Sequence, residues 1–302
     1  MYIVTTFLIF LMVFGFIGIS VASENLKPVV MDLWPDGAPG DNGITEPEKE
    51  SVCGVTNVSK PEIIVYLPPK DKATGSAVVV IPGGGYSEVC LVEEGHGIAD
   101  LLIHKGIAAI VVKYRLPNGY KDIPAMDARR AIRTVRYNAE KWNIDPSKIG
   151  VWGFSAGGHL ASTVATVFDS GNNDAAYPIE KQSSRPDFAV LFYPVISMKD
   201  GVTHSDSRKC LLGPDPSKSL IEQYSNENRV SDKTPPTFML HCSDDGCVPV
   251  ENSLGYYRSM IQHDNECELL IFEKGSHGPG AFKGNPSWES AFDSWLQSHK
   301  IK

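Results

Sequence analysis

A serine set between two glycines, Gly153-Phe154-Ser155-Ala156-Gly157, is the part of this chain best suited to covalent chemistry. A Ser hydroxyl attacks a carbonyl carbon when a tight turn exposes it and a neighbouring base takes its proton. The flanks predict such a turn. Residues 148–152 form a short apolar run that reads as a buried strand, and residues 158–165 read as a helix. The chain therefore passes from strand to helix through Ser155, the context of a nucleophile elbow. Gly153 and Gly157 leave room where a side chain would crowd the strand or the helix. The N-terminus of the following helix favours a negative charge developing beside it.

Acyl transfer on Ser also needs a base, an orienting acid and an oxyanion hole. In a strand-turn-helix arrangement these follow in the order Ser, acid, His. His277 lies beyond the last expected strand, in the glycine-rich run Glu273-Lys274-Gly275-Ser276-His277-Gly278-Pro279-Gly280, and is the candidate base. His159 is expected to pack on the helix after Ser155, His263 and His299 fall on late exposed helices, and His241 ends a strand as a minor rival. Two carboxylates compete for the acid, Asp244 and Asp245, in the loop that runs from His241 to Pro249. Position relative to Val248-Pro249 favours Asp245; Asp244 more simply caps the turn. The run Pro82-Gly83-Gly84-Gly85-Tyr86 follows a strand and lets bare backbone N–H groups approach a substrate oxygen. Its spacing fits neither a dinucleotide nor a phosphate fingerprint.

These residues need a frame. Strands are expected at 62–67, 77–81, 108–114, 149–153, 188–193, 237–241 and 268–272, and helices at 95–104, 125–142, after Ser155, 250–262 and 288–297. Such alternation implies an α/β fold, a mostly parallel central sheet with helices on both faces. Ligands then sit beyond the C-terminal strand ends. Residues 24–60 read as an irregular arm, and 194–236 as an insertion or small cap placed to roof the site. Arg129, Arg130, Arg133 and Arg136 read as the solvated face of the long helix.

The 302 residues suit a single catalytic domain over 24–302. The 28 Lys and Arg stand against 36 Asp and Glu, a formal charge of -8 with no basic cluster, which argues against nucleic acid and anionic membrane surfaces. Residues 7–21 are almost wholly apolar and no charged side chain precedes Glu24. Residues 1–23 therefore read as a signal peptide cut near Ala22 or Ser23, which implies an exported body with no stable membrane association after cleavage; an uncleaved anchor is the alternative. The six cysteines, Cys53, Cys90, Cys210, Cys242, Cys247 and Cys267, lack zinc spacing and read as free, mostly buried thiols. Cys242 and Cys247, flanking the acid loop, are the pair to inspect for a bridge. Asn57-Val58-Ser59 is a glycosylation sequon.

The chain resembles the α/β-hydrolase superfamily, and within it bacterial acetyl xylan esterase and feruloyl esterase-like proteins. The matching stretches are Leu33-Trp34-Pro35-Asp36-Gly37-Ala38-Pro39-Gly40, the Pro-Gly-Gly-Gly-Tyr run, Lys113-Tyr114-Arg115-Leu116-Pro117, and Gly153-Phe154-Ser155-Ala156-Gly157-Gly158-His159-Leu160-Ala161. Tyr193-Pro194-Val195-Ile196-Ser197, Tyr224-Ser225-Asn226-Glu227, Thr234-Pro235-Pro236 and Lys274-Gly275-Ser276-His277-Gly278 extend the match over nearly the whole mature chain. The resemblance implies Ser155, Asp245 and His277 as a triad, and Gly84, Gly85 and Ala156 as oxyanion donors. It implies an acylated carbohydrate as substrate, with acetyl or feruloyl esters cleaved through an acyl-enzyme and no metal or cofactor. Tyr86, Trp34, Tyr224 and Trp288 are candidates to stack on the sugar or the aromatic acyl group. A serine peptidase of the prolyl-oligopeptidase type is the alternative.

Overall fold

The computed structural model describes residues 27–283 and 285–302. The expected signal peptide lies outside them. Among the described residues, no helix is long and apolar enough to cross a membrane.

In chain order the strands are β1 (Val29–Asp32), β2 (Lys49–Glu50), β3 (Val55–Thr56), β4 (Glu62–Tyr66), β5 (Ala77–Ile81), β6 (Glu88–Val89), β7 (Ala108–Lys113), β8 (Ile149–Phe154), β9 (Ala189–Phe192), β10 (Thr237–Cys242) and β11 (Cys267–Phe272). The helices are α1 (Gly97–His104), α2 (Ile123–Tyr137), α3 (Ser155–Thr166), α4 (Ser205–Leu212), α5 (Lys218–Tyr224), α6 (Glu251–Gln262) and α7 (Pro286–Ser298). The main sheet runs β1-β4-β7-β5-β8-β9-β10-β11. From β7 to β11 every neighbouring pair is parallel, and β4 and β1 add antiparallel at one edge. The apolar runs explain the centre. Every residue of β5, β7, β8, β9 and β10 is buried, as expected for strands covered on both faces. Helices α2, α3 and α6 cover one face; α1 and α7 lie on the other, tied by Lys105 to Asp293 at 3.0 Å.

The path of the chain makes a crevice. From β5 it crosses through α1 to β7 on one side, then returns through α2 to β8 on the other side of β5. Such a switch point, beyond the C-terminal ends of two neighbouring strands, is where open α/β sheets hold ligands. The Pro82–Tyr86 run leaves β5 there, and Ser155 leaves β8 there.

Three expectations need correction. The N-terminal arm is not irregular: β1 extends the main sheet, and β2, β3 and β6 form a small antiparallel sheet. The remainder of the arm is held by Arg115. This buried guanidinium pairs with Asp127 at 2.7 Å and donates to Gly40 O at 2.8 Å, and Asp127 also accepts from Trp34 Nε1. The cysteines are not all free. Cys53 and Cys90 are joined, clamping the small sheet, while Cys242 and Cys247 remain thiols. The arginines of α2 are not a solvated face. They bind the segment that follows α3: Arg129 donates to Val167 O, Arg133 pairs with Asp169, Arg130 with Glu180 and Arg136 with Asp187. The expected insertion carries two short helices, α4 and α5. Asn252 of α6 fixes its entry by accepting from Ile196 N and Ser197 N.

The bridge gives a measurable expectation. It closes a separation of 37 residues, so constraining the unfolded chain stabilises the fold by about 3–4 kcal/mol. Changing both Cys53 and Cys90 to Ser should lower Tm by roughly 6–12 °C in calorimetry. An unchanged Tm would refute the clamp.

Candidate active site

Ser155 opens α3 with φ 50°, directly after the extended residue Phe154. A side chain at either flanking glycine would break this turn. A Cβ on Gly153 would meet Gly157 O at 2.3 Å, and one on Gly157 would meet Ile81 O at 2.2 Å. The turn thus forces β8, α3 and the end of β5 together with Ser155 at the crest.

Three side chains from three elements form a line. Ser155 Oγ is 2.9 Å from His277 Nε2, and His277 Nδ1 is 2.7 Å from Asp245 Oδ2. A carboxylate only accepts, so Nδ1 carries the proton and Nε2 faces the hydroxyl as an acceptor. Asp245 comes from the loop after β10, and its Oδ1 accepts from Cys247 N at 2.9 Å and Val248 N at 2.8 Å. Burial alone would raise its pKa. Hydrogen bonds from His241, His277 and the Val248 N–H outweigh burial and hold the carboxyl well below its usual range. Asp244 does not reach the imidazole. Its Oδ1 accepts from Ser276 N at 2.8 Å, pinning the backbone of the loop that carries His277.

His241 is buried, with Nε2 2.9 Å from Val248 O and 3.3 Å from Asp245 Oδ2, and Nδ1 2.7 Å from Ser253 Oγ. It braces the acid and stands away from Ser155. His159 packs on α3 as expected, between Tyr86 Oη (2.9 Å) and Tyr224 O (2.8 Å). Burial pushes its pKa down to about 4, so it is neutral near pH 7.

In the loop after β5, Gly84 and Gly85 take φ 113° and 63°. Their N–H groups have no protein acceptor among the described residues. Ala156 N–H lies in the first turn of α3, where no intrahelical acceptor exists. Neighbouring Gly83 packs directly on the elbow: a Cβ there would lie 2.9 Å from Ser155 Cβ. The arrangement brings a hydroxyl, a base that accepts its proton, and bare N–H donors to one crevice, which is the equipment for acyl transfer.

Sequence reasoning missed one support. Glu94 is buried in a π-helical turn, Val92–His96, before α1. Its Oε2 accepts from Gly83 N at 2.7 Å and its Oε1 from Tyr193 Oη at 3.0 Å. The Tyr193 ring meets the His277 imidazole edge-on, with centroids 4.9 Å apart. One carboxylate therefore steadies both the glycine loop and the wall of the base. Burial raises its pKa, partly offset by the Gly83 and Tyr193 hydrogen bonds. The sequence signal was faint: an acid shortly after a glycine run.

The four candidate stacking residues are not gathered at the triad; Tyr224 is buried, with its hydroxyl donating to Asp122 Oδ1. Trp288 is 2% exposed, lies among Trp152, Phe192 and Phe282, and spends its Nε1–H on Phe282 O. It is a core residue, because its whole indole surface is taken by packing. Tyr86 is also buried, its hydroxyl held by His159, so it supports the glycine loop from beneath. Trp34 is half-buried under the Arg130 guanidinium and lines a separate cavity beside α2.

The sheet order, the elbow and the triad line define an α/β hydrolase built around a serine. The chain belongs to the BD-FAE family, whose profile matches residues 63–260. It is 39% identical over 257 residues to the acetylxylan esterase of Xylanibacter ruminicola, covering 83% of this chain and 51% of that one. It is 36% identical over 224 residues to endo-1,4-beta-xylanase B of Butyrivibrio fibrisolvens, covering 72% of this chain and 34% of that one. The chain thus spans about half or less of the length of these curated relatives. Among solved structures, the acetyl ester-xyloside bifunctional hydrolase from Caldicellulosiruptor lactoaceticus superposes with a TM-score of 0.79 at 39% identity, over 90% of this chain and 97% of that one.

Proposed function

We propose that this chain is a serine carboxylic-ester hydrolase that removes short acyl groups, acetyl foremost, from a plant polysaccharide such as xylan. The observation that carries the reading is the unbroken Ser155–His277–Asp245 line, with the glycine loop packed on the elbow at Gly83. Ser155 Oγ attacks the ester carbonyl while His277 Nε2 takes its proton. Asp245 holds the imidazole in that tautomer and stabilises the imidazolium. The N–H groups of Gly84, Gly85 and Ala156 receive the oxyanion. His277 then gives that proton to the sugar oxygen as its bond to the acyl carbon breaks, so the sugar leaves as a hydroxyl, and the imidazole next activates water against the acyl-enzyme.

The acetylxylan esterase and xylanase relatives support the substrate class. The insertion supports a short acyl group. His204, which caps α4, lies with Cε1 3.9 Å from where a Cβ on Gly85 would sit, so the cap closes over the glycine loop. Feruloyl esters remain the second acyl class to assay. An exported life, with residues 24–302 acting as one catalytic domain, is supported by the apolar segment 7–21 and by the Cys53–Cys90 bridge, which belongs in an oxidising compartment.

The test is a substrate series: acetate release from acetylated xylan, with nitrophenyl acetate, nitrophenyl decanoate, methyl ferulate and an aminoacyl anilide alongside. Acetyl esters should exceed decanoyl by roughly tenfold or more. Faster cleavage of the anilide than of any ester would overturn the reading.

A further inference from the structure

The loop after β1 leaves the sheet at the same edge as Ser155. Asp32 is level with Glu62, and Glu62 with Lys113 at the C-terminal end of β7. Strands β1 and β8 are four steps apart in the sheet, about 19 Å. Between this loop and α2 lies a cavity of about 440 Å³, a size suited to a small ligand. Trp34 and Tyr177 line it, the latter 56% exposed, together with Met126 and three arginines of α2.

The charges on this lining are unequal in their partners. Arg133 is engaged by Asp169 and Arg130 by Glu180. Arg129 is half-buried and spends Nε on Val167 O, but its two terminal amino groups have no acceptor among the described residues. Burial weighs most against its charge; Asp169, which shares the lining, offsets part of this, and Arg133 and Arg229 add to it. Its amino groups are not sealed from solvent, so they are open to an incoming acceptor. A planar guanidinium fork with free N–H groups matches a carboxylate. Beside it, an indole and a phenol ring offer flat apolar surface to the C–H face of a pyranose. Exposed Asp36 at the rim is able to accept from sugar hydroxyls.

We propose that this cavity binds a carboxylate-bearing pyranose, a uronic-acid unit of a glycan, with Arg129 as the partner of the carboxylate. The choice of a glycan rests on the proposed esterase function.

Calorimetric titration of the full chain tests this without turnover. The probes are a xylotriose bearing one glucuronic-acid branch and an unbranched xylotetraose. The branched probe should bind roughly tenfold or more tightly than the unbranched one, and Arg129→Met should remove that preference while nitrophenyl acetate turnover stays at the wild-type rate. Tyr177→Ala, at an exposed position, should weaken both probes and carries the test if Arg129→Met does not fold. Equal affinity for the two probes, no binding of the branched probe, or an unaltered preference in Arg129→Met would overturn the proposal. Binding of the branched probe by a protein that releases no acetate would instead overturn the esterase reading and leave this site standing.

Discussion

Replacing Asp245 by Asn is expected to lower kcat by roughly ten-thousandfold while KM changes little. The reason is in the hydrogen bonds around this one side chain. Asp245 Oδ1 accepts from the N–H groups of Cys247 and Val248, so an amide here must place its oxygen on that side. Its NH2 then faces His277 Nδ1, where Oδ2 now accepts at 2.7 Å. Two donors cannot meet, so the imidazole moves its proton to Nε2 and loses the lone pair that takes the Ser155 proton. Asp244→Asn has no such consequence. Its amide oxygen still accepts from Ser276 N, and no group of the triad touches it. That variant should stay within roughly tenfold of wild type, because only a tether of the loop is altered. Measuring kcat for both on nitrophenyl acetate separates the neighbours. A greater loss in Asp244→Asn would move the acid by one residue.

The legible parts of the site were those whose chemistry is set by residue type and chain order. Ser155 stood out because its glycines, strand and helix are consecutive in sequence, and the structure keeps all of them local. The central strands were legible because β-branched apolar runs such as Ala77–Ile81 have few other uses. The parts that stayed hidden depend on partners far along the chain. Glu94 acquires its place only when Tyr193, 99 residues on, meets it. Strands β2, β3 and β6 hold two residues each, too few for periodicity, and exist because the Cys53–Cys90 bridge and the pairing hold them together. The arginines of α2 occur at helical spacing that fits a wet face equally well, and their acceptors include main-chain carbonyls, which have no sequence signature. Trp288 and Tyr86 illustrate a different limit. An aromatic side chain has the same type whether it stacks on a ligand or fills a core, and burial alone distinguishes them.

Ser155→Ala carries the largest expected effect, a loss on the order of a millionfold in kcat, because no step of the reaction begins without the nucleophile. The fold should survive it. Alanine keeps the Cβ at φ 50°, and the hydroxyl removed bonds only to His277 Nε2. The most direct measurement pairs this variant with the intermediate it cannot form. Wild-type protein and Ser155→Ala are mixed with nitrophenyl acetate, quenched in acid and digested, and the peptide containing residue 155 is weighed. One acetyl group is expected on Ser155 in the wild type, none in the variant, and no residual turnover in the variant. An acetyl group found on another residue, or a Ser155→Ala protein that keeps more than a tenth of its activity, would contradict it.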